Sequence, residues 1–588
     1  MHKVVVANHI LYRKTSATNN MEINVVGIIG IAVFYLLILV LGIWAGCKKS
    51  KHQENGEQHD ESNEVMLAGR SIGLFVGCFT MTATWVGGGY INGTAEAVYK
   101  YGLTWAQSSW GYSLSLCFGG FLFAKIMRRR GYVTMLDPFQ DRYGIRVGGL
   151  MYIPAFLGEL IWSAATLNSL SATISIVMNI SRELSVAASA CIAVFYTFLG
   201  GLWSVAYTDV AQLICMFIGM WLTIPFALTH KAVTPISQTK QTWVGDQSWE
   251  WGSFGNWMDN ALLLIFGGIP WQVYFQRVLS SKTHKRAQYL SFAASVGCLI
   301  MAVPSILIGA IGKSTDWEQT GFNSVAERDS NGSMIIKPSM IMPMVLQYLT
   351  PTWASFVGLG AVSAAVMSSV DSSVLSASSM YAHNIYKTIF RQRASDKEVI
   401  WVIRASIIVV GALATAIGLT VESIYGLSYL CSDIIYVVLF PELLCVLYFG
   451  YSNTYGALFG YIMGFLLRLL GGEPLINMPA VIKYPLYKET KNGSFIQNFP
   501  FRTLNMVITL FCIVFGSLLA QVVFKYCLSL KFDIAGDFQN GIPNIELRKM
   551  VNLKGVDIKP EYKTVLLDNA ATANGKESHE MEEHMKAN

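Results

Sequence analysis

Trp85 stands two residues before three consecutive glycines, Gly87 to Gly89, and Trp271 directly follows Gly267-Gly268-Ile269-Pro270. Trp162 and Tyr112 lie in other apolar runs, and Tyr90 follows the first glycine cluster. Membrane tryptophans more often belong to interfacial belts, but Trp85, Trp162 and Trp271 are at mid-run depth, two of them beside a helix-breaking cluster. Aromatic faces around a dry pocket attract a quaternary ammonium, at about 2 kcal/mol per desolvated contact. Three or four such contacts give roughly 6–8 kcal/mol before association costs, enough for micromolar binding.

A second chemistry lies in Ser368-Ser369-Val370-Asp371-Ser372-Ser373, deep in an apolar run, and in Asp209 after Tyr207-Thr208. A single buried serine usually bonds back to its own helix. A six-residue cluster of hydroxyls with a carboxylate instead offers the oxygen ligands that hard cations prefer. Intramembrane carboxylates are costly and mark function by default; Asp259, Glu473, Glu96 and Glu159 are the others, with structural ion pairing the competing reading for Asp259, Glu473 and Glu96.

The elements that carry these residues are membrane spans. Of 588 residues 53% are hydrophobic and 14% charged, against roughly 25% charged in soluble chains. Thirteen apolar runs approach the length of about 20 residues that a bilayer requires: 24–46, 72–98, 102–126, 148–180, 185–203, 207–229, 257–278, 286–313, 354–388, 397–420, 424–449, 453–471 and 501–527. The expected fold is therefore an all-α polytopic membrane protein. It divides into an outer N-terminal segment 1–23, a transmembrane domain 24–527 and a polar tail 528–588. Lys and Arg concentrate in alternate short loops, such as Arg128 to Arg130 and Lys282 to Arg286. That asymmetry puts the N-terminus outside and the C-terminus in the cytosol. The sequons at Asn331 and Asn492 then face outward as candidate glycosylation sites. The ten cysteines lie in or beside apolar runs, so no disulfide framework is expected. The broken runs 72–98 and 257–278 are five spans apart, the mark of an inverted-repeat transporter with a site near the midplane.

Gly200-Gly201-Leu202 with Tyr207-Thr208-Asp209 resembles the signature of the sodium/solute symporter family. Within that family, the stretches 79–97, 131–139, 267–271 and 361–369 resemble the high-affinity choline transporter branch. The resemblance implies a LeuT-type core of two inverted five-helix repeats, over about 72–471, and sodium- and chloride-dependent choline uptake at cholinergic nerve endings. It implies Trp85, Tyr112, Trp162 and Trp271 as choline contacts. It implies a sodium site from the carbonyls of Thr82, Trp85 and Ala365 with the hydroxyls of Ser368 and Ser369. A second sodium site would use Asp209 with Asp371 and Ser372 nearby. Asp259, Asp371 and Glu473 match acidic positions important to uptake. Ser428 stands where that branch has a tryptophan near the pocket, and Glu561–Leu567 resembles its dileucine-type signal for an endocytic adaptor.

The expected activity is sodium-coupled, chloride-dependent choline uptake by alternating access at the plasma membrane, supplying acetylcholine synthesis, with presynaptic cycling through endosomes or synaptic vesicles. Two alternatives stay open: a symporter of the same fold for another organic cation or solute, and a transport-dead choline sensor. Neither an enzyme nor a nucleic-acid partner is expected, nor a cofactor beyond the co-transported sodium and chloride ions. Membrane lipid and a second copy of the chain are the other candidate partners.

Overall fold

The computed structural model describes residues 65–245 and 251–526 apart from 179, 200–201, 323–333, 335 and 491–494, with scattered positions in 29–42 and 532–538. The segment 1–23, most of the first apolar run, Gly200-Gly201, Asn331, Asn492 and nearly all of the tail 528–588, including Glu561–Leu567, lie outside the described residues.

Helices follow the apolar runs in order. They are Leu74–Trp85, Gly88–Tyr101, Ser108–Gly119, Tyr152–Met178, Arg182–Leu199, Leu202–Leu228, Trp251–Phe266, Gln272–Ser280, His284–Lys313, Thr352–Met380, Asp396–Thr420, Ile424–Ile434, Phe440–Tyr448, Thr454–Leu470 and Phe501–Tyr526. Among the described residues eight helical spans are long and apolar enough to cross a membrane. They become nine when Leu74–Trp85 and Gly88–Tyr101, bent by 45° at their junction, count as one. Thr454–Leu470 is apolar but shorter.

Burial separates an inner from an outer ring. The most apolar stretches of Tyr152–Met178 and Thr352–Phe390 are 83% buried inside the protein, those of Asp396–Thr420 and Phe501–Tyr526 only 28% and 33%. The outer helices expose Trp401, Ile408, Phe511 and Phe515, as a lipid-facing surface requires. The inner helices instead carry the polar residues, including Ser363, Ser368, Ser369 and Ser372 on one element.

Both glycine clusters interrupt their helices. Val86 and Gly87 leave the helical region, Gly87 with φ −92° and ψ −169°. Gly87 is required by proximity: a Cβ there would lie 1.4 Å from the Ser369 hydroxyl oxygen. In the second break Pro270 has no N–H to donate, Trp271 is extended, and its N–H reaches back to the Ile269 carbonyl at 2.8 Å. A Cβ on Gly267 would lie 2.6 Å from the Ser432 carbonyl oxygen. A third irregularity is the π-helical turn Ile435–Leu439 ahead of Pro441. It takes up the clash that the proline ring makes with the preceding turn.

Two segments between the spans differ from plain loops. Within 314–353, Ile341–Tyr348 is a helix with Ile341 through Leu346 buried, because its apolar residues have a core to pack into. Within 472–500, Tyr487–Glu489 and Phe495–Gln497 pair as two short antiparallel strands, Lys488 opposite Ile496. The cysteines among the described residues are free thiols.

The close approach at Gly267 yields a stability prediction. Gly267→Ala must push the helix Ile424–Ile434 away, a local overpacking worth about 1–3 kcal/mol. Thermal unfolding of the detergent-solubilised protein should show a clear drop in midpoint. An unchanged midpoint would mean that the two backbones are not in contact.

Candidate functional site

Four aromatic rings meet where the two breaks converge. Trp85 ends the first half-helix of one broken span and Trp271 opens the second half-helix of the other, while Tyr112 and Trp162 come from Ser108–Gly119 and Tyr152–Met178. Ring centroids lie 5.3 Å apart for Trp85 and Tyr112, 6.0 Å for Trp85 and Trp271, 6.5 Å for Trp85 and Trp162, 5.9 Å for Tyr112 and Trp162, and 6.0 Å for Trp162 and Trp271. Most of these contacts are edge-to-face, the arrangement that ring quadrupoles favour. All four side chains are buried.

Polar contacts fix two of the rings from behind. Tyr112 donates to the Ser428 carbonyl at 2.8 Å, and its hydroxyl lies 3.1 Å from that of Ser432. Trp271 Nε1 donates to the Gly267 carbonyl at 2.7 Å, across the break. A Cβ on Gly89 would lie 3.2 Å from the Trp162 ring and 3.5 Å from the Ser428 hydroxyl oxygen, so Ser428 borders the same cluster. Trp85 Nε1 is buried without a hydrogen-bond partner. Tyr90 turns away and donates to the Ser109 and Cys298 carbonyls. Each cage ring already covers a neighbour's face or edge. A cation must come within about 6 Å of a ring centroid to gain the interaction, so the rings have to part to admit one between them.

The hydroxyl cluster lies beside the first break. Ser369 donates to the Thr84 carbonyl at 3.1 Å. The Thr82 carbonyl accepts Val86 N–H at 2.8 Å, and the Ala365 carbonyl oxygen is 3.5 Å from the Cβ position of Gly87. Thr82, Trp85, Ala365 and Ser369 thus share one neighbourhood. Ser368 points onward and donates to Asp209 at 2.5 Å, and Thr80 donates to the other carboxylate oxygen. Ser368 therefore links the two expected ion sites. Asp371 is not brought to Asp209 by any hydrogen bond: it accepts from Thr197 at 2.9 Å, and its second oxygen has no partner. Ser372 accepts from Arg277, whose guanidinium is 3.6 Å from Asp209.

Arg277 is the main functional candidate that the sequence reading missed. A lone cation in the apolar run 257–278 was the available signal. From the sequence, Glu159 is only an acid within a span. Here it accepts Val273 N–H at 3.1 Å and the Ser373 hydroxyl at 2.8 Å, so it caps the half-helix that begins after Trp271. Glu96 does the same for Ile424–Ile434, accepting the N–H groups of Ile424 and Tyr425 at 3.0 Å and the Ser423 hydroxyl at 2.7 Å.

Asp259 and Glu473 lie apart from this centre in a buried ion network. Asp433 binds Arg468 at 2.5 Å and Arg502 at 2.8 Å, and Glu473 binds Arg468 at 2.7 Å. Asp259 is 3.7 Å from Arg502 and accepts the N–H of Thr503 at 2.7 Å, capping Phe501–Tyr526. Asp433, Arg468 and Arg502 were not singled out from the sequence.

Residues 65–464 match the family model described as Sodium:solute symporter family. High-affinity choline transporter 1 of Caenorhabditis elegans is 55% identical over 523 residues, covering 87% of this chain and 88% of that protein. High affinity choline transporter 1 of Homo sapiens is 54% identical over 515 residues, with 86% and 87% covered. A solved structure of a substrate-bound, outward-open Na+-coupled sialic acid symporter superposes with a TM-score of 0.66 at 15% identity, over 84% of this chain and 98% of that one, and so shares the fold.

The ion network makes its own prediction. Asp433→Ala leaves the buried Arg468 and the partly buried Arg502 short of a counter-charge, which costs about 3–5 kcal/mol. Glu473→Ala removes a more peripheral partner and should cost less. Melting both variants in one detergent checks the order; equal midpoints would assign Asp433 no central place.

Proposed function

The chain belongs to the sodium:solute symporter family, and from that premise we propose that it is a multi-pass carrier that takes up choline across the plasma membrane on the sodium gradient. The observation that carries the proposal is the closed group of Trp85, Tyr112, Trp162 and Trp271 at the meeting point of two helix breaks. The names of the relatives that are 54–55% identical support choline as the guest. Family membership favours a carrier over an enzyme, and no covalent step is required of these residues.

In the mechanism we infer, sodium engages the oxygens of Thr82, Trp85, Ala365, Ser368 and Ser369 and holds the first broken span against Thr352–Met380. A second ion uses Asp209, with Ser372 at its border and Asp371 on the adjoining flank. The four rings separate on the outer side, close around the ammonium group and reopen inward. Asp259 and Glu473 serve transport by holding the outer helices in register. A membrane potential favours inward movement of each positive charge by about 2.3 kcal/mol per 100 mV, and choline itself carries one.

The same reading includes thirteen spans, a core of two inverted five-helix repeats, an outer N-terminus and a cytosolic C-terminus. It also includes chloride dependence, glycans at Asn331 and Asn492, supply of choline for acetylcholine synthesis at nerve endings, and retrieval by an endocytic adaptor. The described residues most directly relevant to substrate choice are the cage rings and Ser428, whose small side chain leaves that side of the cage without a further ring.

Radiolabelled choline uptake in cells expressing the chain is the direct test. Replacing sodium by lithium should abolish most uptake. Trp85→Ala and Trp271→Ala should each lower the apparent affinity by about 30-fold, the equivalent of one desolvated cation–π contact. Uptake by both variants unchanged from that of the unaltered chain, at equal surface expression, rules out the cage. Competition by other amines and neutral solutes decides between choline and another substrate.

A further inference from the structure

Arg277 occupies the ground between two residues assigned to the second sodium site. Its Nη2 donates to Ser372 and lies 3.6 Å from Asp209 Oδ2. It is completely buried. Two carboxylates act electrostatically on this one base, Asp209 and Glu159, and a third, Asp371, feels the charge of Asp209. With all four groups ionised the cluster has an excess of two negative charges, which only further cations or protons can offset.

Arg277 Nη1 donates to Gln276 Oε1 at 3.1 Å and to the Val273 carbonyl at 3.4 Å, so it is the pairing with Asp209, not the whole side chain, that is loose. A guanidinium built to pair permanently with a carboxylate makes two parallel N–H···O bonds near 2.8 Å. Arg277 makes neither with Asp209, and its Nε–H has no acceptor at all. Both Asp209 oxygens are instead taken by the hydroxyls of Thr80 and Ser368. Those hydroxyls present lone pairs as readily as protons, so rotating them converts the same four oxygens into ligands for a small hard cation. Two cations so close together in a poorly polarisable interior would repel strongly. One of them has to leave.

We propose that Arg277 is a tethered countercation, which neutralises Asp209 in the sodium-free carrier and is displaced toward Glu159 when sodium binds there. This rests on the reading of Asp209 as an ion ligand. The displaced charge arrives at the joint between ion site and cage. Glu159 holds Val273 N–H, two residues beyond Trp271, and Ser373, one residue beyond Ser372. Arg277 is thus a positioning residue: it reports occupation of one site to the backbone that carries a ring of the other.

The test is a sodium titration of choline binding to the full chain in lipid nanodiscs, using radiolabelled choline. Arg277→Gln keeps a hydrogen-bonding group but removes the competing charge. Its half-saturating sodium concentration should fall about tenfold, while choline affinity at saturating sodium changes far less. Glu159→Gln keeps an acceptor for Val273 but removes the receiving charge, so its half-saturating sodium should rise by a similar factor. Should Arg277→Gln fail to fold, Glu159→Gln alone decides. An unshifted or oppositely shifted titration in the folded variant overturns the proposal. Sodium-independent choline binding by the unaltered chain, or an unaltered titration in Asp209→Asn, would instead overturn the underlying assignment of the ion site.

Discussion

Hydrocarbon offers no hydrogen bonds, so a helix can be broken inside a membrane only where protein groups meet the freed backbone. Every polar feature of the central region follows from that constraint. At the first break Ser369 reaches the Thr84 carbonyl across a gap that only a glycine at 87 leaves open. At the second, the Trp271 indole returns to the Gly267 carbonyl, and Glu159 receives Val273 N–H. The groups that make the breaks tolerable are those that line the site. A serine-rich face on Thr352–Met380 is at once the repair for a broken neighbour and the proposed set of cation ligands.

The same constraint explains the aromatic cluster. Two spans broken where they meet cannot fill the space between them with regular side-chain packing. Large rings fill it, fixed from behind by Ser428, Ser432 and Gly267. They cover one another edge to face, and such contacts are worth about 0.5–1.5 kcal/mol each beyond area burial. A cationic guest must replace these contacts with stronger ones, which sets a floor on the charge density it needs. Neutral solutes of similar size gain less from the exchange.

Much of this was readable in the chain because the signals are local. Three adjacent glycines, a Gly-Gly-Ile-Pro run and tryptophans beside them give broken spans without any tertiary information. The pairing of side chains was less readable, since it depends on where helices face. Ser368 and Ser372 are one turn apart and share a face, which points to Asp209 and Arg277. Asp371 falls on the flank and meets Thr197. Linear proximity grouped all three. Arg277 itself was visible as a lone cation in an apolar run, but its partner lies 68 positions away. The helix Ile341–Tyr348 went unread because six apolar residues inside a long polar stretch are too few to count as a span.

Two buried ion systems remain, and their geometry separates their duties. Taking charges out of water costs several kcal/mol per ion, recovered only when contacts are short and the remaining donors are satisfied. The outer system meets that condition at every contact but one, the buried Asp433 Oδ1, which has no partner. Asp433 and Glu473 hold Arg468 within 2.7 Å, Arg502 closes the group, and Asp259 caps the next helix. Four helical elements, Trp251–Phe266, Ile424–Ile434, Thr454–Leu470 and Phe501–Tyr526, are tied there. The inner system does not meet it: one guanidinium stands off its carboxylate, with an unpaired N–H and a second acid beyond. A contact that leaves part of its desolvation unrecovered gains little by persisting, and it yields when a better-fitting cation arrives. A carrier needs both kinds, one to keep its scaffold in register and one to let go.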